Sequence, residues 1–205
     1  MPLIPTHKEE QELYAQGFRN ICGIDEVGRG CLAGPIMAGA VILPNHFLPN
    51  SLSRVRDSKA LSAKSRSFQY KVIMDIALFV GIGVVEADEI DKLGINPAND
   101  LAMVRSVQKL THPPDFLLVD AVKIAGLSIP SKSIIHGDAI CLSIACASIM
   151  AKVSRDNVMI AFDEVYPEFR FGSNKGYGTK LHLEALRNFG PTFIHRKSFS
   201  PVNKF

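Results

Sequence analysis

Four acidic side chains stand where solvation alone does not account for them. Asp25 and Glu26 end the apolar stretch 21–24, Asp120 ends Phe116-Leu117-Leu118-Val119, and Asp138 follows Ile134-Ile135 just before a long apolar helical pattern. An acid at the end of a buried strand must be paired, neutralised or metal-bound, because an isolated buried carboxylate is strongly disfavoured. Several carboxylates brought together raise one another's pKa values, and a bound divalent cation reverses that logic. Oxygen-only donors select Mg2+ or Mn2+ over zinc. Strand ends are also where sheet proteins gather catalytic residues, on a rigid scaffold that solvent can reach. Each acid has a plainer reading as a turn or helix-capping residue, Asp138 above all. Spacing leaves both readings open.

The segment Gly23-Ile24-Asp25-Glu26-Val27-Gly28-Arg29-Gly30, followed by Ala33-Gly34-Pro35, carries further chemistry. Neighbouring strand residues point to opposite faces, so Asp25 and Glu26 would share a site only if the strand bends between them. Gly28 and Gly30 permit a sharp turn and leave backbone N–H groups open to a ligand. Arg29 between them has the planar fork that grips phosphate. A glycine-rich turn with an exposed arginine is the rival reading.

The chain that must position these groups has 205 residues, 47% hydrophobic and 21% charged, the composition of one ordinary globular domain. A net charge of +3 permits nucleic-acid contact without demanding it. Cys22, Cys31, Cys141 and Cys146 form no C-x-x-C pair, so reduced, buried thiols are expected. Residues 1–10 hold no apolar signal-peptide core, and the longest apolar run, 139–151, is too short to span a membrane. The expectation is a cytoplasmic protein without a membrane segment.

Thr6-His7-Lys8-Glu9 has capping-box form and predicts a helix to about residue 15, stopped at Gly17. Strands are expected over 20–25 and 36–43, the two forming a hairpin-like opening. Ser62 is a good N-cap for a helix to about residue 78, followed by a β-rich run over 79–86 that Gly81 and Gly83 interrupt. Helices over 87–93 and 96–110 precede a strand over 116–120. A short strand at 134–135 leads into a helix over 140–164, whose small residues Ala145, Cys146, Ala147 and Ser148 let a neighbouring backbone approach closely. Thr179 caps a last helix to about residue 189, and the basic stretch 192–205 lacks periodicity. These elements imply one α/β domain over 1–205: a central sheet flanked by helices, with a C-terminal helical portion and tail from about residue 160.

With these residues in view, the sequence closely resembles the ribonuclease HII family. The opening motif matches the family's glycine–isoleucine–aspartate–glutamate–x–glycine–arginine–glycine pattern without departure. Further matches follow in order: Asp57-Ser58-Lys59 with Leu61-Ser62, Ile95-Asn96 with Asn99, Leu118-Val119-Asp120, and Gly137-Asp138. Ser143-Ile144-Ala145 through Ala151-Lys152-Val153-Ser154-Arg155-Asp156 and Lys175-Gly176-Tyr177-Gly178-Thr179 with His182 complete the set. Ala121 stands where many relatives carry glycine, so the turn after Asp120 is expected to differ in local geometry. The ribonuclease HIII type is less similar, having an extra N-terminal domain and typically lysine where this chain has Arg29.

The resemblance implies the ribonuclease H-like fold, a mixed sheet with flanking helices, and a monomer. It maps Asp25, Glu26, Asp120 and Asp138 onto the family's catalytic, metal-binding acids. Two divalent ions, Mg2+ or Mn2+, about 4 Å apart would then promote in-line attack of water on phosphorus, leaving 5′-phosphate and 3′-hydroxyl ends. The substrates implied are RNA–DNA hybrid duplexes and single ribonucleotides embedded in duplex DNA. Gly28, Arg29 and Gly30 would read the 2′-hydroxyl, the group that separates RNA from DNA. Tyr177 would pack on the following deoxy sugar, and Lys59 and Lys175 would contact phosphates. Outside the resemblance, Tyr177 reads equally as a turn aromatic packing on the core. Lys152 and Arg155 are expected to brace their helix against nearby acids, while His182, part of the matched motif, reads equally as a structural hydrogen-bond partner. Arg196 and Lys197 either touch duplex DNA or do nothing.

Two other functions fit parts of the pattern. A non-catalytic nucleic-acid-binding module would share the fold, but gains nothing from acids facing phosphates. A phosphohydrolase of small esters would use the same acids, but has no use for Arg29, Tyr177 and the basic turns.

Overall fold

The computed structural model describes residues 4–45, 52, 55, 58, 61–122 and 124–205. A five-stranded sheet in the order β3-β2-β1-β4-β5 forms its centre. The strands are β1 (Ile21–Val27), β2 (Ile36–Ile42), β3 (Phe79–Val85), β4 (Phe116–Asp120) and β5 (Ser131–Ile134). β1 pairs antiparallel with β2, as the expected hairpin does, and parallel with β4. It is therefore the strand at which the sheet changes from antiparallel to parallel. The carboxyl ends of β1 and β4 lie side by side at that point, where ligands collect in open α/β sheets.

Helices cover both faces. α6 (Leu142–Val165) crosses β1 and β2 on one face, and α4 (Ile95–Gln108) covers β3 and β2 on the other. The remaining helices are α1 (Lys8–Ala15), α2 (Ala63–Ile76), α3 (Ala87–Leu93), α5 (Gly137–Ile140), α7 (Phe171–Asn174) and α8 (Lys180–Phe189). Small residues set the spacing of both layers. A Cβ added to Gly39 would lie 2.4 Å from the Ala147 carbonyl oxygen, so only a glycine lets α6 settle this close. Gly83 plays the same part for α4, where a Cβ would fall 1.9 Å from the Ala102 oxygen. The glycines that interrupt β3 in the sequence are thus helix-docking positions.

Several boundaries differ from the sequence expectation. The N-cap of α1 is His7, with no side-chain capping bond, so the Thr6 capping box does not form. Thr6 instead makes backbone bonds to residues 140 and 142, which pull it out of the helix. A capping box does form at Glu86 with Glu89, at the start of α3. The helix expected over 140–164 forms as α6 but begins at Leu142, because Cys141 is extended and bridges to Thr6, leaving Ile140 to the short α5. β5 ends at Ile134, and Ile135 is exposed. All four cysteines are free and buried, as expected. No helix among the described residues is long and apolar enough to cross a membrane.

The C-terminal segments share their own core. Leu32, Met159, Phe169, Phe171, Leu186, Ile194 and Val202 pack together, so the loop after β1 and the last fifty residues are joined by apolar burial.

Two substitutions test this packing. Gly39→Ala should lower the unfolding free energy by about 2 kcal/mol, through overpacking against α6, seen as an earlier denaturant midpoint. Ala121 has φ of 51°, the left-handed conformation in which a Cβ is strained. The turn thus has a conformation that glycine adopts more easily than alanine. Ala121→Gly should raise stability by about 1 kcal/mol in the same measurement.

Candidate active site

Asp25 and Asp120 come together through sheet register. The parallel pairing of β1 with β4 runs to Ile24 opposite Val119, and the next step sets Asp25 beside Asp120 on neighbouring strands. Adjacent strands lie about 4.8 Å apart. Antiparallel pairing with β2 runs without interruption through Val27, so no bend separates Asp25 from Glu26. Both nevertheless line one cleft of about 240 Å³, together with Val27, Ser58, Ser148, Lys152 and Tyr177. The cleft opens at the end of the sheet, where side chains from opposite faces reach the same space.

Electrostatics marks this cleft as strained. Asp25 is 6% exposed, and burial holds its carboxyl well above the usual carboxylate range, with the charges of Glu26 and Asp120 adding to the effect. Glu26 is also pushed up, by burial first, against the opposing pull of Arg29 at 3.7 Å. The Glu26 Oε2 atom is buried with no hydrogen-bond partner among the described residues. An all-oxygen set with raised carboxyls and an unsatisfied oxygen fits a hard divalent cation, which would stabilise all three charges at once.

Each acid is also held by donors. Asp25 Oδ1 accepts from the Glu26 N–H at 2.7 Å, and the Ser148 hydroxyl donates to the same carboxylate. Ser58 and Ser148 hydroxyls are 3.0 Å apart. Ser148 has one proton and spends it on Asp25, so Ser58 must be the donor between them. Asp120 Oδ1 accepts from the Gly137 N–H at 2.7 Å, which anchors the start of α5 beside β4. Asp138 is the next residue and is 8% exposed. Among the described residues no three Asp, Glu, His or Cys side chains are gathered tightly enough to hold an ion as they stand.

The residues expected to bind substrate surround the acids unevenly. Gly28, Arg29 and Gly30 form the turn at the end of β1, and the Arg29 Nη2 donates to Asn96 Oδ1 at 2.9 Å. Tyr177 is 44% exposed and lines the cleft, which argues against the reading as a core-packing aromatic. Lys175 bends its amine back to the Gly172 carbonyl instead of holding it out to solvent. Lys59 lies outside the described residues.

Two expectations are overturned. Lys152 does pair with Asp156, at 2.7 Å, but Arg155 bonds no acid: its guanidinium donates to the carbonyls of Ala33, Pro35 and Lys175. Arg196 is fully buried and donates to the Gly34 and Arg29 carbonyls, so it neither touches duplex nor lies idle. These partners are 20 to 167 residues away, beyond any local pattern. Ser148 was missed as a functional residue, although a signal existed. Ser148, Lys152 and Arg155 recur at helical spacing along one face of their helix, towards the cleft and the glycine turn beside it.

Of the two readings left open for His182, the structure favours the structural one, with a partner in His195. Thr192 N–H donates to His195 Nδ1 at 2.9 Å, which puts the His195 proton on Nε2. That proton is given to His182 Nε2 at 3.0 Å, so His182 Nδ1–H donates to the Tyr177 carbonyl at 2.9 Å. Both rings must be neutral for this relay. Burial pushes His195 down to about 4 and moves His182 in the same direction.

The family model described as Ribonuclease HII matches residues 22–202. A protein named Ribonuclease HII from Dehalococcoides mccartyi strain 195 is 48% identical over 200 residues, spanning 98% of this chain and 95% of its own. One of the same name from Bacillus subtilis strain 168 is 52% identical over 190 residues, spanning 93% and 73%. Among solved structures, ribonuclease H2 from Pyrococcus horikoshii OT3 superposes with a TM-score of 0.77 at 24% identity, covering 90% of this chain and 96% of that one. Bst-RNase HIII in complex with Mn2+ gives 0.67 at 17% identity, covering 93% and 70%. The last two establish likeness of fold.

The histidine relay yields a pH prediction. The folded state resists protonation that the unfolded chain accepts near pH 6.5, so the relay's contribution is complete above that value and is lost as pH falls towards 4. The His195 share is roughly 3 kcal/mol. Denaturant unfolding between pH 7 and 4 should show this loss, and His195→Gln should flatten it. Parallel profiles for the two proteins would contradict a neutral pair.

Proposed function

This chain belongs to the ribonuclease HII family, and from that premise we propose that its carboxylate cleft cuts at ribonucleotides in duplexes by metal-dependent hydrolysis. The chain is an endonuclease of the ribonuclease H class that degrades the RNA of RNA–DNA hybrids. The proposal adds single ribonucleotides embedded in DNA to its substrates, and assigns the work to named residues. The observation that carries it is the buried Asp25 beside Glu26 and Asp120, three carboxylates whose repulsion a divalent cation would relieve.

Asp25 and Asp120 would be shared ligands, with Glu26 completing the set and Asp138 orienting one ion. Two divalent ions, when bound, supply a water activated for attack on phosphorus and neutralise charge on the leaving 3′ oxygen. Mn2+ is supported by its presence in the Bst-RNase HIII structure, and Mg2+ by the all-oxygen donor set. Ser148 holds the Asp25 carboxylate in place, and Asp120 is fixed by the Gly137 N–H. Gly28, Arg29 and Gly30 would meet the 2′-hydroxyl, while the exposed ring of Tyr177 would stack on the adjacent deoxy sugar, favouring RNA-to-DNA junctions. Intact acids weigh against a pure binding module, since negative charge facing phosphates only weakens binding.

The test is a DNA duplex bearing one ribonucleotide, incubated with Mg2+, with Mn2+ or with chelator, and its ends mapped. Cleavage should require metal and leave 5′-phosphate and 3′-hydroxyl ends. Asp25→Asn should cut turnover by roughly 100-fold or more while duplex binding persists. Near-normal cleavage by that variant would remove Asp25 from the mechanism.

A further inference from the structure

Arg155 and Arg196 are each 0% exposed, and neither forms an ion pair with a described carboxylate. Burying a charge without a counter-charge is costly, so both guanidiniums need another compensation. They find it in five backbone carbonyls. Arg155 donates to Pro35 at 2.8 Å, Lys175 at 2.8 Å and Ala33 at 3.1 Å. Arg196 donates twice to Gly34, at 3.0 and 2.9 Å, and once to Arg29, at 2.9 Å. All five belong to two loops: the one that follows β1 and the one that carries Tyr177. The Leu32 N–H bond to the Gly176 carbonyl, 2.8 Å, stitches the same two loops directly.

We propose that Arg155 and Arg196 are positioning residues for ribose recognition, which from inside the protein set the direction of the peptide groups that the substrate meets. The inference rests on the reading of Gly28, Arg29 and Gly30 as the substrate-binding turn. A trans peptide is planar, with its C=O and the following N–H pointing opposite ways. Arg196 draws the Arg29 carbonyl inward, so the Gly30 N–H is turned outward. Gly30 is exposed, and a Cβ there would meet nothing within 4 Å, so the space around this peptide group is open. Arg155 fills the volume under Gly28, where a Cβ would come 2.3 Å from its Nε. The same guanidinium holds the Lys175 carbonyl, two residues before Tyr177, and so fixes the spacing between the hydroxyl reader and the ring. Only arginine presents enough N–H groups in one plane to span these acceptors; lysine offers three donors on a single atom.

The test measures selectivity, not activity alone. With the active metal present, KM is determined for a duplex bearing one ribonucleotide, and Ki for an all-DNA duplex of the same sequence as competitor. The ratio Ki/KM should fall about tenfold or more in Arg196→Lys and in Arg155→Lys, through KM, with Ki moving less than about twofold. A folded variant with an unchanged ratio overturns the proposal. Should the lysine variants lose their cooperative melting transition, Gly30→Ala and Gly30→Pro decide with both arginines intact. Alanine keeps the N–H and should keep the ratio, whereas proline removes it and should lose the ratio. Equal ratios in that pair overturn the proposal as well. A wild-type protein with no preference for the ribonucleotide duplex would bring down the substrate-turn reading itself, an outcome distinct from wild-type preference that survives in the variants.

Discussion

Carboxylates held side by side at the ends of β1 and β4 repel one another in a space where little water screens them. Burial raises both Asp25 and Glu26; the charges of Glu26 and Asp120 add to the effect at Asp25, and that of Asp120 at Glu26. Such an arrangement persists only because the backbone is not free to relax. The parallel register is set by hydrogen bonds along both strands, and the sheet is gripped by helices on both faces. Local donors, chiefly the Ser148 hydroxyl and the N–H groups of Glu26 and Gly137, remove part of the penalty. The remainder is the repulsion that a bound divalent cation would relieve under the proposed function.

Helix α6 is the element that converts sheet geometry into site geometry. Close docking over Gly39 brings one face of the helix to the sheet, and Ser148, Lys152, Arg155 and Met159 follow along that face at helical spacing. Ser148 meets Asp25, Lys152 lines the cleft, Arg155 lies under Gly28, and Met159 packs where a Cβ at Gly34 would go. A single rigid rod therefore sets the distance from the acids to the glycine turn. A shift of α6 by one residue would displace every one of these contacts together.

The C-terminal segments act on the same site from below. Arg196 reaches the Arg29 carbonyl across 167 residues of chain, and the His182–His195 relay ends on the Tyr177 carbonyl. Both contacts use side chains that bind backbone, so they govern loop conformation without entering the cleft. This explains why a stretch with no periodicity is nonetheless buried at Ile194, His195 and Arg196.

Local patterns in the sequence determined where acids terminate apolar strands, where residues 87–93 and 116–120 form a helix and a strand, and which glycines open the turn after β1. These features depend on neighbours a few residues away, which a linear reading can see. The Thr6 capping box failed, and α6 starts two residues later than expected, because Thr6 and Cys141 are drawn together across some 135 residues. Arg155 and Arg196 looked like charges awaiting acids or phosphate, since the sequence does not display carbonyl groups as partners. Tertiary structure alone decided that Asp25 and Asp120 fall beside each other and that Ser148 serves the first of them. It also decided that two buried guanidiniums shape the turn. Each of those outcomes is a through-space contact between chain-distant groups, and its energy exists only once the layers have packed.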